Sequence, residues 1–149
     1  MYNIPVMDFS ILIIDDEKEM CLSLKEILQS QGYTAHFAVN GEDGRRLLEY
    51  FPVDLVILDI KMPDTDGLQI LKQLKSSGNI VPIIMISGYA SVQKVIQSMR
   101  LGAANFFEKP LDIPALLKEI ELIARQKAHI QKQNGPIPDF VYSSTVMVT

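Results

Sequence analysis

The sequence holds a single cysteine, Cys21, so an internal disulfide is excluded. A reducing cytoplasm suits such a chain. No apolar run approaches the roughly 18–20 residues needed to span a bilayer. The longest runs, at residues 9–14, 55–58 and 80–86, have the length of buried strands. The first eight residues carry no basic stretch followed by a long apolar run, so no secretory leader is expected there. Basic charge is not in excess either. The 14 Lys and Arg face 18 Asp and Glu, and a formal net charge of -4 argues against a broad nucleic-acid-binding face. His36 and His129 have no metal-ligand companions at useful spacing, so both read as surface residues.

What is present is 149 residues, 48% hydrophobic and 21% charged, enough for one domain with a sizeable core. Five short apolar runs alternate with five helix-period segments. Residues 9–14, 55–58 and 81–86 are nearly continuous in apolar side chains, the pattern of strands covered on both faces in a parallel sheet. Residues 33–39 are more mixed and residues 105–107 are short, and both suit edges. Between them, residues 17–31 place Met20, Leu24, Ile27 and Leu28 on one helical face and stop at Gly32. A second helix follows the Asn40-Gly41 turn and runs over 42–50. Asp66 or Thr65 can cap a third that reaches Ser76. Ser91 can start a fourth that ends before Gly102. Asp112 can cap the last, with Pro114 in its tolerant first turn. The order is (βα) five times, with right-handed crossovers that place helices on both faces. The last helix carries an apolar stripe through Ala124, then turns polar over 125–133. Leu116, Ile120, Ile123, Lys127 and Ile130 keep a faint coiled-coil spacing, but a solvated helix end accounts for the segment. Asn134-Gly135-Pro136-Ile137-Pro138 should break the helix, and residues 139–149 read as a linker or the edge of a further domain.

In an open parallel sheet, ligands bind at the carboxyl ends of the strands. Asp15 and Asp16 directly follow the first strand, Asp59 the third, Ser87 the fourth and Lys109 the fifth. Three crowded carboxylates raise one another's pKa unless a cation joins them. A divalent metal can do so, and an all-oxygen site suits magnesium. The Lys109 ammonium can do so too. A carboxylate can also act as a nucleophile that forms an acyl phosphate. Phosphoryl transfer then depends chiefly on positioning and on neutralising the phosphoryl oxygens. Helix capping by Asp15 and Asp16 is expected as well, but it does not explain two acids at a strand end opposite Asp59. Cys21 reads as a small, at least half-buried residue.

Four motifs in order carry a resemblance: Ile14-Asp15-Asp16-Glu17, the run from Leu58-Asp59 through Lys61-Met62-Pro63 to Asp66-Gly67, Ile86-Ser87-Gly88, and Phe106-Phe107-Glu108-Lys109-Pro110. The chain resembles the response-regulator receiver domains of two-component signalling over residues 8–127, leaving 128–149 as helix extension, linker and tail. The resemblance implies a flavodoxin-like (βα)5 fold, a doubly wound parallel sheet of strand order 2-1-3-4-5 in a three-layer α/β/α sandwich. It implies that Asp59 accepts a phosphoryl group from the phosphohistidine of a sensor histidine kinase. Mg2+ would be held by Asp15, Asp16, Asp59 and the Lys61 backbone carbonyl. Ser87, Lys109 and the backbone N–H of Gly88 would contact the phosphoryl group. Ser87 and Phe106 would switch a surface formed by helix 4, strand 5 and helix 5, and the Lys109–Pro110 peptide is often cis. The domain would assist only its own phosphorylation and dephosphorylation, without being an enzyme otherwise.

Phe106 departs from the commoner tyrosine at that position, which removes any hydroxyl-mediated readout. Tyr89 stands where a side chain can shield the phosphoryl group from water. Ser87-Gly88-Tyr89-Ala90, Leu101-Gly102-Ala103 and the tail from Asp139 resemble the N-terminal receivers of sigma-54-dependent, NtrC-type transcription regulators. That implies a cytoplasmic protein that regulates transcription at full length, with no nucleic-acid or membrane binding by this chain itself. The helix 4 to helix 5 face and residues 125–133 are candidate homodimer surfaces. Two other readings compete. A phosphatase of the haloacid-dehalogenase type needs a second acid two residues past the nucleophile, where Lys61 stands. A phosphorylation-independent interaction module would not need the intact acid cluster.

Overall fold

A computed structural model describes residues 8–133. They form two compact units, one ending at Leu116 and the next beginning at Leu117. The first contains a five-stranded parallel sheet in the order β2-β1-β3-β4-β5. The strands are β1 (Ser10–Ile14), β2 (Thr34–Ala38), β3 (Leu55–Asp59), β4 (Ile83–Ser87) and β5 (Asn105–Glu108). The helices are α1 (Lys18–Ser30), α2 (Gly41–Tyr50), α3 (Gly67–Ser76), α4 (Val92–Arg100) and α5 (Ile113–Gln133). Order and alternation are those of the flavodoxin-like (βα)5 fold expected from the sequence.

The near-continuous apolar runs become the three central strands because both of their faces are covered. Every residue of β3 and β4 is buried, as are the last four of β1. β2 alternates instead, with Thr34 and His36 exposed, and β5 is only half-buried; both lie at edges. Along the strands side chains alternate between faces. One face collects Leu12, Ile14, Val56, Leu58, Ile83 and Met85, and packs against Leu68, Ile70 and Leu71 of α3 with Leu47 and Leu48 of α2 beside them. Ile11, Ile13, Leu55, Ile57, Ile84 and Ile86 turn to the other face and are also fully buried.

The face of α1 expected from the sequence holds: Leu24 and Leu28 are buried and Met20 and Ile27 half-buried, with Cys21 buried beside them. One sequence expectation is corrected. Capping by the first acidic pair does not occur. Glu17 is the residue at the N-terminus of α1 and makes no side-chain cap bond, and Asp15 Oδ1 instead accepts the Glu17 N–H at 2.9 Å. The caps expected at Asp66, Ser91 and Asp112 form, and Asn40 adds one at the start of α2. The side chains of Asn40, Asp66, Ser91 and Asp112 accept from Asp43, Leu68, Lys94 and Ala115 N–H groups. Gly32 and Gly102 end α1 and α4 with φ of 96° and 101°, the left-handed turn in which glycine carries no steric penalty.

The second unit, described by itself, is the rest of α5. Ile120, Ile123 and Ala124 are buried, and Arg125 pairs with Glu121 at 2.7 Å. Arg125, Gln126, Ala128, His129 and Ile130 are exposed, in line with a solvated helix end. The expected break at residues 134–138 and the tail after it lie outside the described residues. Among the described residues no helix is long and apolar enough to cross a membrane.

Candidate functional site

The carboxyl ends of β1 and β3 lie side by side, with Ile14 in register with Leu58. Asp15 and Asp16 leave β1 at the level where Asp59 closes β3. One carboxylate oxygen from each of Asp15, Asp16 and Asp59 falls within 4.8 Å of the others. Asp15 and Asp59 are buried, at 0% and 4% exposure, while Asp16 faces solvent.

Lys109, from the turn after β5, reaches across β4 into this cluster. Its backbone N–H donates to the Ser87 carbonyl at 2.9 Å, which ties the turn to the end of β4. Its Nζ stands 2.7 Å from Asp15 Oδ2, 2.9 Å from Glu17 Oε1 and 3.5 Å from Asp59 Oδ2. The buried Asp15 Oδ2 makes no well-aligned hydrogen bond, so the nearby ammonium charge is what balances it. The Lys109–Pro110 peptide is cis.

The electrostatics follow from burial. Desolvation pushes Asp59 up to about 6, with the neighbouring Asp15 charge adding to the rise and Lys109 opposing it. Asp15 is raised as well, first by burial, with the adjacent Lys109 ammonium pulling the other way. Burial alone would lower Lys109, but the Asp15 and Glu17 carboxylates outweigh it and hold the ammonium above its ordinary value. Cys21 donates its thiol to the Asp15 carbonyl oxygen at 3.3 Å, and burial pushes it up to about 12, which favours the neutral thiol.

Asp16, Glu17 and Asp59 border an open cleft of about 910 Å3. Lys61, Gly88 and Tyr89 stand on its wall, and Met20, Leu24 and Ile27 of α1 with Leu111 and Ile113 form an apolar flank. The Lys61 Nζ lies 4.8 Å from the centre of the Tyr89 ring, a cation–π contact beside the acids. A Cβ on Gly88 would meet only the Lys109 side chain, at 4.0 Å, so the space there is open. Ser87 is buried, and its Oγ accepts the Tyr89 N–H at 3.0 Å. Phe106 pairs with Met85 in register and packs half-buried against the core. The loop after Asp59 folds back on itself. Gly67 N–H donates to the Ile60 carbonyl at 2.6 Å, and a Cβ at Gly67 would collide with the Asp59 carbonyl oxygen.

The structure therefore brings Asp15, Asp16, Asp59 and Lys109 into one cluster, with Ser87, Gly88 and Lys61 at its border. Phe106 lies on the neighbouring edge strand. Two participants carried no role in the sequence reading. Glu17 pairs with Lys109, and Asp64 bonds to the start of α2. Both sit inside the quoted motifs, but their partners lie 92 and 23 residues away and leave no local signal.

Three oxygens at this spacing are a donor set that fits a hard divalent cation such as Mg2+. Among the described residues no second such acidic group occurs.

Comparison with known proteins agrees with this geometry. Residues 11–121 match the model of the response regulator receiver domain. The regulatory protein AtoC of Escherichia coli strain K12 is 33% identical over 127 residues, 85% of this chain and 27% of that protein. The signal receiver domain of a DNA-binding response regulator from Colwellia psychrerythraea 34H is 33% identical with a TM-score of 0.75, covering 79% of this chain and 99% of that one. A CheY-like receiver domain protein from Methanospirillum hungatei JF-1 is 31% identical with a TM-score of 0.74, covering 85% and 98%. The chain spans between 27% and 59% of the length of the curated relatives it matches.

Proposed function

The chain belongs to the response regulator receiver domain family, a family of signalling domains rather than classical enzymes, and on that premise we propose that it is a switch operated by phosphorylation of Asp59. The observation that supports this most directly is the setting of Asp59. Its carboxylate stands at the floor of an open cleft, beside two further carboxylates and an ammonium 3.5 Å away. That set suits a carboxylate nucleophile facing an anionic group.

An Asp59 oxygen forms a bond to phosphorus while the phosphorus–nitrogen bond to a histidine of a sensor kinase breaks, and the imidazole leaves with the electron pair. Lys109 turns from Asp59 and Asp15 toward a phosphoryl oxygen. Ser87 and the Gly88 N–H supply further contacts. Asp15, Asp16, Asp59 and the Lys61 carbonyl would hold Mg2+, which when bound supplies neutralising charge for the phosphoryl oxygens. The half-buried Met20 and Ile27 on the apolar flank offer a kinase a surface beside the acceptor. Tyr89, held by Lys61, covers one side of the cleft and would slow attack by water.

The added charge of roughly -1.5 to -2 draws Ser87 toward Asp59 and lets Phe106 turn inward. The output face would include α4, whose Val92, Ile96 and Met99 form an exposed apolar stripe. That face, or the end of α5, would support a homodimer. In the full-length protein the receiver would control transcription, as the names of its relatives suggest for them, and would do so in the cytoplasm. This chain itself would bind neither nucleic acid nor membrane, and would assist only its own phosphorylation and dephosphorylation.

The test is intact mass after incubation with Mg2+ and acetyl phosphate. A single phosphoryl adduct, absent in Asp59→Asn and without chelated metal, is expected. Rapid turnover without adduct would point to a hydrolase, and no metal-dependent change would point to an interaction module.

A further inference from the structure

We propose that Asp64 is a positioning residue that fastens the loop between β3 and α3 to the N-terminus of α2 and thereby sets the affinity of the metal site. The proposal rests on reading Asp15, Asp16 and Asp59, with the Lys61 carbonyl, as a divalent-cation site.

The first N–H groups of a helix have no partner within it. In α2 one is met locally, by Asn40, whose Oδ1 accepts from Asp43 at 2.8 Å. Two more are met from another element. Asp64 Oδ1 accepts the Gly41 N–H at 2.9 Å, and Oδ2 accepts the Glu42 N–H at 3.1 Å. A carboxylate is the side chain best matched to the positive end of a helix. The bond from Gly41, with that from Glu42, holds the Asp64 carboxyl below its ordinary range.

The sterics agree. A Cβ on Gly41 would collide with the Thr65 side chain and press on Ile70, so glycine lets the loop lie directly on the start of α2. At its root the same loop is closed by the Gly67 to Ile60 bond and by a bridge between Lys61 and Asp66. A Cβ on Gly67 would collide with the Asp59 carbonyl oxygen, so the root is pressed against the acceptor itself. The loop is thus held at its root by Asp59 and at its tip by α2. Lys61 belongs to the root through its bridge to Asp66, and Asp64 follows three residues on. Asp64 is exposed, so its contribution is the pair of bonds rather than burial. Without them the tip is free and the root alone restrains Lys61, so its carbonyl is less ordered before the cation binds.

A plain stabilising cap would not move metal affinity, and this separates the two roles. The full chain is titrated with Mn2+, with free ion read by electron paramagnetic resonance, in wild type, Asp64→Ala, Asp64→Asn and Asn40→Ala. Asp64→Ala should weaken Mn2+ binding by about tenfold, the lower end of what loss of a ligand-orienting partner costs. Asp64→Asn keeps an acceptor and should fall in between; it carries the test if the alanine variant does not fold. Asn40→Ala loses a cap on the same helix, and should lower the melting temperature while keeping wild-type affinity. Affinity of the Asp64 variants within about twofold of wild type, or equal weakening by Asn40→Ala, would overturn the proposal. Absence of Mn2+ binding by wild type would overturn the metal-site reading along with it.

Discussion

A carboxylate that is 4% exposed and stands beside a second buried carboxylate holds its proton more tightly than one in water. Asp59 shows this, raised to about 6 by burial first and by Asp15 second. The linkage has a definite sign. Between the ordinary value of 3.8 and about 6, Asp59 binds more proton in the folded chain than in the unfolded chain. Stability therefore falls as pH rises through that window. The melting temperature of the metal-free chain should drop between about pH 4 and pH 6, and Asp59→Asn should flatten that part of the profile. An unchanged slope in the variant would contradict this account of Asp59. Added Mg2+ should offset the loss above pH 6, because the cation favours the ionised form. The convergence of Asp15, Asp16, Asp59 and Lys109 was legible in the sequence, because each directly follows a strand and parallel strands end at one edge. The allegiance of Lys109 was not. An ammonium on a flexible stem takes its partners from whatever surrounds it, and only the fold shows that Glu17 is one of them.

Among the elements, strands were the most legible. A sheet covered on both faces leaves continuous apolar runs, and β1, β3 and β4 are such runs. Helix ends were legible through their caps, since Asn40, Asp66, Ser91 and Asp112 act within a few residues. The face of α1 was legible through Leu24 and Leu28, with the small Cys21 buried beside them. Asp15 and Asp16 look like caps of α1, but Asp15 faces Lys109 and spends only one oxygen on the Glu17 N–H. The loop between β3 and α3 is where local pattern says least and geometry is tightest. Gly67→Ala would drive a methyl group into the Asp59 carbonyl, which is backbone and cannot swing aside. Such overpacking should cost about 2–3 kcal/mol, seen as a lower urea midpoint with unchanged slope. A midpoint equal to wild type would show that the loop yields more easily than its contacts suggest.

For the molecule as a whole, the strand order β2-β1-β3-β4-β5 puts the change of direction beside β1 and β3, and the acids stand at that point. The fold thus supplies position, while the chemistry belongs to a few side chains grafted on its edge. The central claim is that Asp59 takes the phosphoryl group. The direct test is to treat the full chain with Mg2+ and acetyl phosphate, reduce the acyl phosphate with borohydride, and map the product by peptide mass spectrometry. Homoserine in place of Asp59, and at no other acid, is the expected result; reduction at Asp16, Glu17 or Asp64 with Asp59 intact would contradict it.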